Sequence, residues 1–364
     1  MKLKKNILIC PLDWGLGHAT RCVPLINEFI SQNANVIIAA DGPAFAFLKD
    51  AFPKLEFINF RGYNIRYPKN GRMSLKMTIL LPKLFFRIIM EHFQVKRIIK
   101  NYNIDLLISD NRFGLWNKNI PCVYITHQIM IKTSKYLHFF EGFLFRISNL
   151  IIKKYHKCWI PDFEGSENLS GDLSHKYPVP PNSEFIGPLS RFTLSVDHQE
   201  DIEYKYDVLA IISGPEPQRT ILENILLFQL KSSDQKAVVV RGITNFSEHY
   251  ELRKNCDVFT HLPTKQLQKY ILQSKIIICR PGYSSIMDIS ALGKKAIFIP
   301  TPGQTEQEYL AEYLFKKKYF FFSKQIDFNL KDALEKSKDF SGLRLSNKPE
   351  NIQKTIQKIL EMRI

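Results

Sequence analysis

In the stretch Ile276-Ile277-Ile278-Cys279-Arg280-Pro281-Gly282-Tyr283-Ser284-Ser285-Ile286-Met287-Asp288, four apolar residues run straight into a turn of small residues, and a helix follows. The next apolar run, Ala296–Ile299, ends at Pro300-Thr301-Pro302-Gly303-Gln304-Thr305-Glu306-Gln307-Glu308, ahead of a second helix over Glu306–Lys316. Strands of this length alternating with helices predict a parallel sheet covered by helices on both faces. Ligands of such sheets bind beyond the carboxyl ends of the strands, so the turns after strands are where chemistry is expected. Gly282, Tyr283, Ser284 and Ser285 bring bare N–H groups and hydroxyls to a helix start, which suits a diphosphate. Asp288, a turn further on, can accept both hydroxyls of a ribose, and Gln304, Glu306 and Gln307 form a polar loop next door. The plainer alternative is that Ser284 or Ser285 caps the helix and Asp288 favours its first turn.

The same alternation extends in both directions. Toward the N-terminus of this half, Asp207–Ile212 reads as a strand, Gln218–Leu230 as a helix, Lys236–Val240 as a strand and Lys265–Leu272 as a helix. The turn Ser213-Gly214-Pro215-Glu216-Pro217-Gln218-Arg219 offers a second phosphate cradle, with Arg219 as a charge partner. Helices near Leu330–Ser337 and Asn351–Met362 close the chain. Tyr177–Phe192, rich in Pro, Gly and Ser, interrupts the pattern and reads as a domain boundary. The expected domains are therefore residues 1–190 and 191–364.

The first half repeats the architecture without repeating the sequence. Asn6–Cys10 reads as a strand, His18–Ile30 as a helix, Asn35–Ala40 as a strand, and a long helical region spans Met73–Asn101. Its first turn, Pro11-Leu12-Asp13-Trp14-Gly15-Leu16-Gly17-His18, places two glycines where a backbone can approach a ligand closely. His18 then stands at a helix start on the ligand side of the sheet, where a base working near neutrality is useful. A glycine turn alone is weak evidence, and a histidine that merely packs at a helix start is the bland reading. The cleft expected to hold a small molecule lies between Gly15–His18 and Arg280–Asp288.

Composition narrows the rest. The chain has 364 residues, 45% of them hydrophobic, which suits two soluble domains. No run of 18 or more apolar residues predicts a membrane-spanning helix. The basic start Met1–Lys5 precedes an apolar stretch that stops at Pro11, too short for a signal core, so a cytoplasmic location is expected. Six scattered cysteines without a C-x-x-C pair fit buried thiols rather than disulfides or zinc. The formal net charge of +16 is uneven: residues 1–192 hold 26 Lys and Arg against 14 acids, the remainder 25 against 21. Residues 72–157 hold 15 basic side chains and four acids, interleaved with aromatic and aliphatic residues. Those apolar residues are either ordinary core or a basic, apolar surface for an anionic bilayer. Nucleic acid fits less well, since no RRM, KH or zinc pattern is present.

These segments resemble the GT-B glycosyltransferases related to the peptidoglycan enzyme that adds N-acetylglucosamine to lipid I, a group that includes the plant monogalactosyldiacylglycerol synthases. The resemblance is strongest over Ile276–Leu314, where CRPGYSSIMDISALGKKAIFIPTPGQTEQEYLAEYL is similar to the family's donor-binding segment. GLGHATRCVPLINEF is similar to its Gly-rich first loop. The resemblance implies two Rossmann-like domains, with the nucleotide sugar held mainly by the second and the final helix packing back toward the first. It puts Asp288 where the family has a ribose-binding glutamate, and Gly282–Ser285 on the diphosphate-facing helix start. Gln304, Glu306 and Gln307 fall on the loop that reads sugar hydroxyls, and Gly214 and Arg219 on a further glycine loop. Gly15, Gly17 and His18 fall on the first loop, and Thr126-His127-Gln128 is similar to an acceptor-side segment. The first loop has fewer glycines than the family pattern, Pro215 and Pro217 stand where small residues are usual, and Asp288 is shorter than glutamate.

Residue chemistry and resemblance converge on one expectation: inverting transfer of a hexose or N-acetylhexosamine from a nucleotide diphosphate sugar, UDP-linked, to a hydroxyl of a lipid-linked acceptor. His18 is the expected base, and helix-start N–H groups with Arg219 or Arg280 the expected support for the leaving diphosphate. No cofactor or metal is expected, since no D-x-D triplet occurs. Two other readings are a nucleotide-sugar 2-epimerase, which would act without an acceptor, and a non-catalytic protein docking on membranes.

Overall fold

The computed structural model describes residues 4–63, 73–133, 135–192, 203–243, 248–345 and 349–362, without the side chains of 73–81, 135–137 and 349–350. Two compact units result. The described parts of residues 4–63, 74–191 and 349–362 form the first, and 203–345 most of the second.

The first unit is built on β1 (Asn6–Pro11), α1 (Leu16–Ser31), β2 (Asn35–Ala40), α2 (Gly42–Ala51), β3 (Glu56–Asn59), α3 (Met73–Asn101), β4 (Leu106–Asp110) and β5 (Cys122–Ile125). It continues with α4 (Glu141–Ile152), β6 (Lys157–Ile160), α5 (Asp172–His175) and β7 (Ser183–Phe185). Its sheet runs β3-β2-β1-β4-β5-β6-β7, every pair parallel. Ile7, Leu8 and Ile9 of β1 are fully buried, as expected of a strand covered on both faces. The order reverses between β1 and β4, which opens a crevice at the carboxyl ends of those two strands.

The second unit comprises β8 (Tyr206–Ile211), α6 (Gln218–Lys231), β9 (Ala237–Val240), β10 (His249–Arg253), β11 (Cys256–Phe259), α7 (Thr264–Leu272) and β12 (Ser274–Cys279). α8 (Tyr283–Ala291), β13 (Lys295–Phe298), α9 (Thr305–Lys316), β14 (Phe321–Phe322) and α10 (Leu330–Lys336) complete it. Its sheet runs β10-β11-β9-β8-β12-β13-β14, with β10 antiparallel to β11 at the edge. The reversal falls between β8 and β12, so the turns after these two strands face the second crevice.

The chain is thus α/β with two Rossmann-like units, as the alternation predicts. Short strands such as β6, β7, β10 and β14, of two to five residues, go unread in the sequence because they carry too few side chains to show a period. β7 lies inside Tyr177–Phe192 and belongs to the first unit. The last helix, α11 (Pro349–Glu361), also belongs there, although its sequence follows the second unit. Its Ile356 and Ile359 are buried, it lies against α1, and Gln32 Nε2 donates to Gln353 O at 3.1 Å. All six cysteines are buried and free, and burial pushes the thiols of Cys10, Cys122 and Cys158 up to about 12. They behave as small hydrophobes.

Candidate functional site

At the first crevice, Gly15 takes a left-handed φ of 95° and starts α1 two residues earlier than the sequence suggests. That puts His18 in the first helical turn with its side chain mostly covered. Pro11 of β1 pairs with Asp110 at the end of β4, so the helix start and the aspartate meet across the strand-order reversal. His18 Nδ1 lies 3.0 Å from Asp110 Oδ1. Asp110 is fully buried, and its charge is met by Arg21, one turn along α1 from His18. Arg21 Nε donates to Asp110 Oδ2 at 2.7 Å, and its Nη2 donates to Asp110 Oδ1. Burial alone would raise the pKa of Asp110, but the Arg21 guanidinium, with His18, holds the carboxyl well below the usual range. The arrangement is that of a histidine oriented by a buried carboxylate, which leaves the other ring nitrogen for proton transfer.

His127, just past β5, joins the same network: Arg21 Nη1 lies 3.0 Å from its Nδ1. Its carbonyl accepts from Ser174 Oγ of α5 at 2.6 Å. Gln128 is positioned by its own backbone, whose N–H donates to Thr126 Oγ1 at 3.0 Å. Asp162, beyond β6, is fully buried and fastens Leu169 N, Ser170 N and Phe163 N at 2.8 to 2.9 Å, which anchors the segment leading into α5. Sequence reasoning singled out His18 and His127 but missed Asp110 and Arg21. The available signal was an acid closing a buried strand in register with the glycine turn.

In the second unit, Gly214 after β8 has φ 111°, and a Cβ built there would stand 3.7 Å from Thr301 Oγ1. The turn after β8 therefore lies beside the turn after β13. Gly282 precedes α8, so Tyr283, Ser284, Ser285 and Asp288 all ride on its first two turns, with Asp288 7% exposed. Gln304 starts α9, and Gln307 Oε1 accepts from Thr301 N at 2.8 Å. Glu306 sits in the first turn of α9. Thr301 Oγ1 and Gln304 Oε1 are buried polar atoms that meet no hydrogen-bond partner among the described residues, so a polar ligand could satisfy them.

The two arginines proposed for the diphosphate are engaged elsewhere. Arg219 pairs with Glu216 at 2.6 Å and with Glu223 at 2.5 Å. Arg280 is buried and turned inward: Nη1 donates to Ile299 O and Pro300 O, and Nη2 to Gln218 O and Gln325 Oε1. It ties the ends of β12 and β13 to the start of α6, and its burial lowers its pKa to about 10. Arg280 thus braces the crevice. Among the described residues no group of three or more His, Cys, Asp or Glu is placed to hold a metal ion.

Residues 217–362 match the glycosyltransferase family 28 C-terminal domain. The second unit carries most of that domain, and the chain's two-unit fold is that of the GT-B glycosyltransferases. The chain is 24% identical over 318 residues to the UDP-N-acetylglucosamine--N-acetylmuramyl-(pentapeptide) pyrophosphoryl-undecaprenol N-acetylglucosamine transferase of Alkaliphilus metalliredigens, covering 83% of this chain and 81% of that enzyme. An uncharacterized glycosyltransferase of Methanosarcina mazei is 24% identical over 340 residues, 84% of this chain and 82% of that one. MurG of Acinetobacter baumannii shares the fold at a TM-score of 0.56 and 12% identity, with 99% of this chain and 100% of that one covered. A UDP-glucosyltransferase from Polygonum tinctorium does so at 0.62 and 13%, covering 99% of each.

The basic, apolar stretch at 72–157 divides on inspection. On α3, Phe85, Phe86 and Phe93 are exposed, Phe85 by 67%, with Lys83, Lys96 and Arg97 exposed on the same helix. On and just before α4, Phe139, Phe143 and Leu150 are exposed, Phe139 by 75%, beside exposed Arg146. These are not core residues. Arg112, counted with the surface charges from sequence, is instead fully buried against Glu91, Nε to Oε1 at 2.9 Å. Arg72 and the side chains of Lys76 and Lys135 lie outside the described residues. No helix among the described residues is long and apolar enough to cross a membrane.

Proposed function

We propose that this glycosyltransferase moves a hexose or N-acetylhexosamine from a UDP-sugar to a hydroxyl of a lipid-linked acceptor, with inversion and without a metal ion. The observation that carries the reading is the His18–Asp110 contact at the first crevice. The acceptor oxygen bonds to the anomeric carbon as the bond from that carbon to the diphosphate oxygen breaks. His18 Nε2 takes the hydroxyl proton, and the nucleotide diphosphate leaves from the opposite face. A single displacement of this kind inverts the anomeric centre. The second unit holds the donor: Asp288 on the ribose hydroxyls, the start of α8 with Ser284 and Ser285 on the diphosphate, and Gln304, Glu306 and Gln307 on the sugar. Gly15, Gly17, His127 and Gln128 serve the acceptor side.

The donor and acceptor classes follow the Alkaliphilus relative, whose name states a UDP-N-acetylglucosamine donor and an undecaprenol-linked acceptor. The exposed phenylalanines of α3 and α4, with Lys83, Lys96 and Arg97 on the first and Arg146 on the second, suit a protein that rests on an anionic bilayer, where such an acceptor resides. That contact would make it a peripheral protein on the cytoplasmic face.

The test is transfer from UDP-GlcNAc, UDP-glucose and UDP-galactose to polyprenyl-diphosphate and diacylglycerol acceptors, with product anomers read by NMR. The expected result is a product of inverted configuration, formed equally well in EDTA and lost in His18→Ala. Retained configuration, or dependence on a divalent ion, sinks the mechanism. Conversion of the donor without any acceptor would establish an epimerase instead.

A further inference from the structure

We infer that Arg21 is a positioning residue that holds two histidines in opposite tautomers, His18 as the Nδ1–H form and His127 as the Nε2–H form. The inference rests on the reading of His18 as the base and extends it to how that base and its neighbour are set.

A guanidinium has five N–H donors and no acceptor. A nitrogen that faces it at hydrogen-bond distance must offer a lone pair, unless a shared acceptor beside both takes the proton of each. His127 Nδ1 lies 3.0 Å from Arg21 Nη1, so its proton belongs on Nε2, and a second proton would set imidazolium against guanidinium. His18 stands differently. Its Nδ1 is 3.0 Å from Asp110 Oδ1 and also 3.0 Å from Arg21 Nη2, so it meets both ends of the ion pair. Asp110 cancels the nearby positive charge, and Nδ1–H and Nη2–H converge on the one carboxylate oxygen. Nε2 of His18 is then left with its lone pair. One Arg–Asp pair thus gives the site a histidine that can accept a proton and another that can only donate a hydrogen bond.

Two thiols and a hydroxyl also face the network. Cys22 Sγ lies 3.6 Å from Asp110 Oδ2, and its thiol is pushed up by burial, as is that of Cys10 on β1. Ser174 Oγ donates to the carbonyl of His127. A lysine at position 21 would carry the same charge but could not reach Asp110 and both histidines in one plane.

Long-range proton–nitrogen NMR on protein labelled with ¹⁵N-histidine reads each tautomer directly. In the wild type, His127 is expected as Nε2–H without change from about pH 6 to 8.5, and His18 as Nδ1–H at the upper end. In Arg21→Lys, His127 should become a mixture that titrates, and kcat should fall at least ~10-fold with an altered acid limb and donor KM within ~2-fold. A wild-type His127 that carries its proton on Nδ1, or that takes a second one in this range, overturns the inference. So does an Arg21→Lys protein whose tautomers and pH profile match the wild type and whose activity falls only with the folded fraction. If no Arg21 variant folds, the wild-type spectrum decides alone. These spectra need no sugar transfer, so expected tautomers in a protein that transfers nothing would count against the proposed function and not against this assignment.

Discussion

His18 Nδ1 and Asp110 Oδ1 meet at 3.0 Å, although 92 residues separate them along the chain. The contact exists because β1 and β4 are neighbours at the strand-order reversal. Asp110→Asn keeps the shape but removes the charge that orients His18. A kcat lower by ~10²–10⁴-fold is expected in steady-state transfer assays. The same change leaves Arg21 buried beside a neutral amide, which costs about 3–5 kcal/mol in denaturant unfolding.

Asp110 also links stability to pH. Its folded-state pKa is depressed, so the stability it contributes is fully present above the unfolded value of about 3.9 and is lost as pH falls toward the folded value. Thermal unfolding followed from pH 7 to pH 2 should show this group contributing steadily above about pH 5 and less with each step below pH 4. The acid limb should be shallower in Asp110→Asn. An unchanged limb would place the acid lability elsewhere.

Gly242 has φ 71°, and a Cβ there would fall well inside 3.0 Å of the Ile212 carbonyl oxygen. Backbone strain and overpacking act together at this strand end. Gly242→Ala should lower stability by about 2 kcal/mol or more, read as a lower denaturant midpoint.

Asp288→Ala removes the carboxylate proposed for the ribose. Donor KM should rise ~10-fold or more with a smaller change in kcat, and titration calorimetry with UDP should show the same loss. An unchanged UDP affinity would release Asp288 from that role.

Phe85→Ser combined with Phe139→Ser should weaken binding to phosphatidylglycerol vesicles by at least ~10-fold, since burying each phenyl ring contributes about 1.5–3 kcal/mol. Binding to pure phosphatidylcholine should be weak from the start, and added salt should reduce the anionic component. Transfer to a water-soluble acceptor analogue should be unaffected.

The sequence made much of this visible because βα alternation and glycine turns are local signals. Strand, turn and helix at Ile276–Asp288 and at Asn6–His18 lie within a few residues of where they were read. What stayed hidden was non-local. Asp110 looks like any polar residue ending a strand until topology brings it to α1. Arg21, three residues after His18, reads as a solvated helix face, yet it is 1% exposed. Arg280 has the opposite history. Its position beside Gly282 suggests an anion partner, while the carbonyls at the end of β13 and the start of α6 take its donors. The phenylalanines of α3 and α4 carry a helical pattern that core and surface helices share, so only the folded chain separates them.

The return of α11 to the first unit has a consequence for biosynthesis. The sheet of that unit is complete by residue 185, but Ile356 and Ile359, buried with α11 against α1, emerge from the ribosome only after the whole second unit. Until then α1 lacks a cover that its finished form possesses. The nascent chain therefore carries an unfinished apolar face throughout synthesis of the second unit, a natural station for a chaperone.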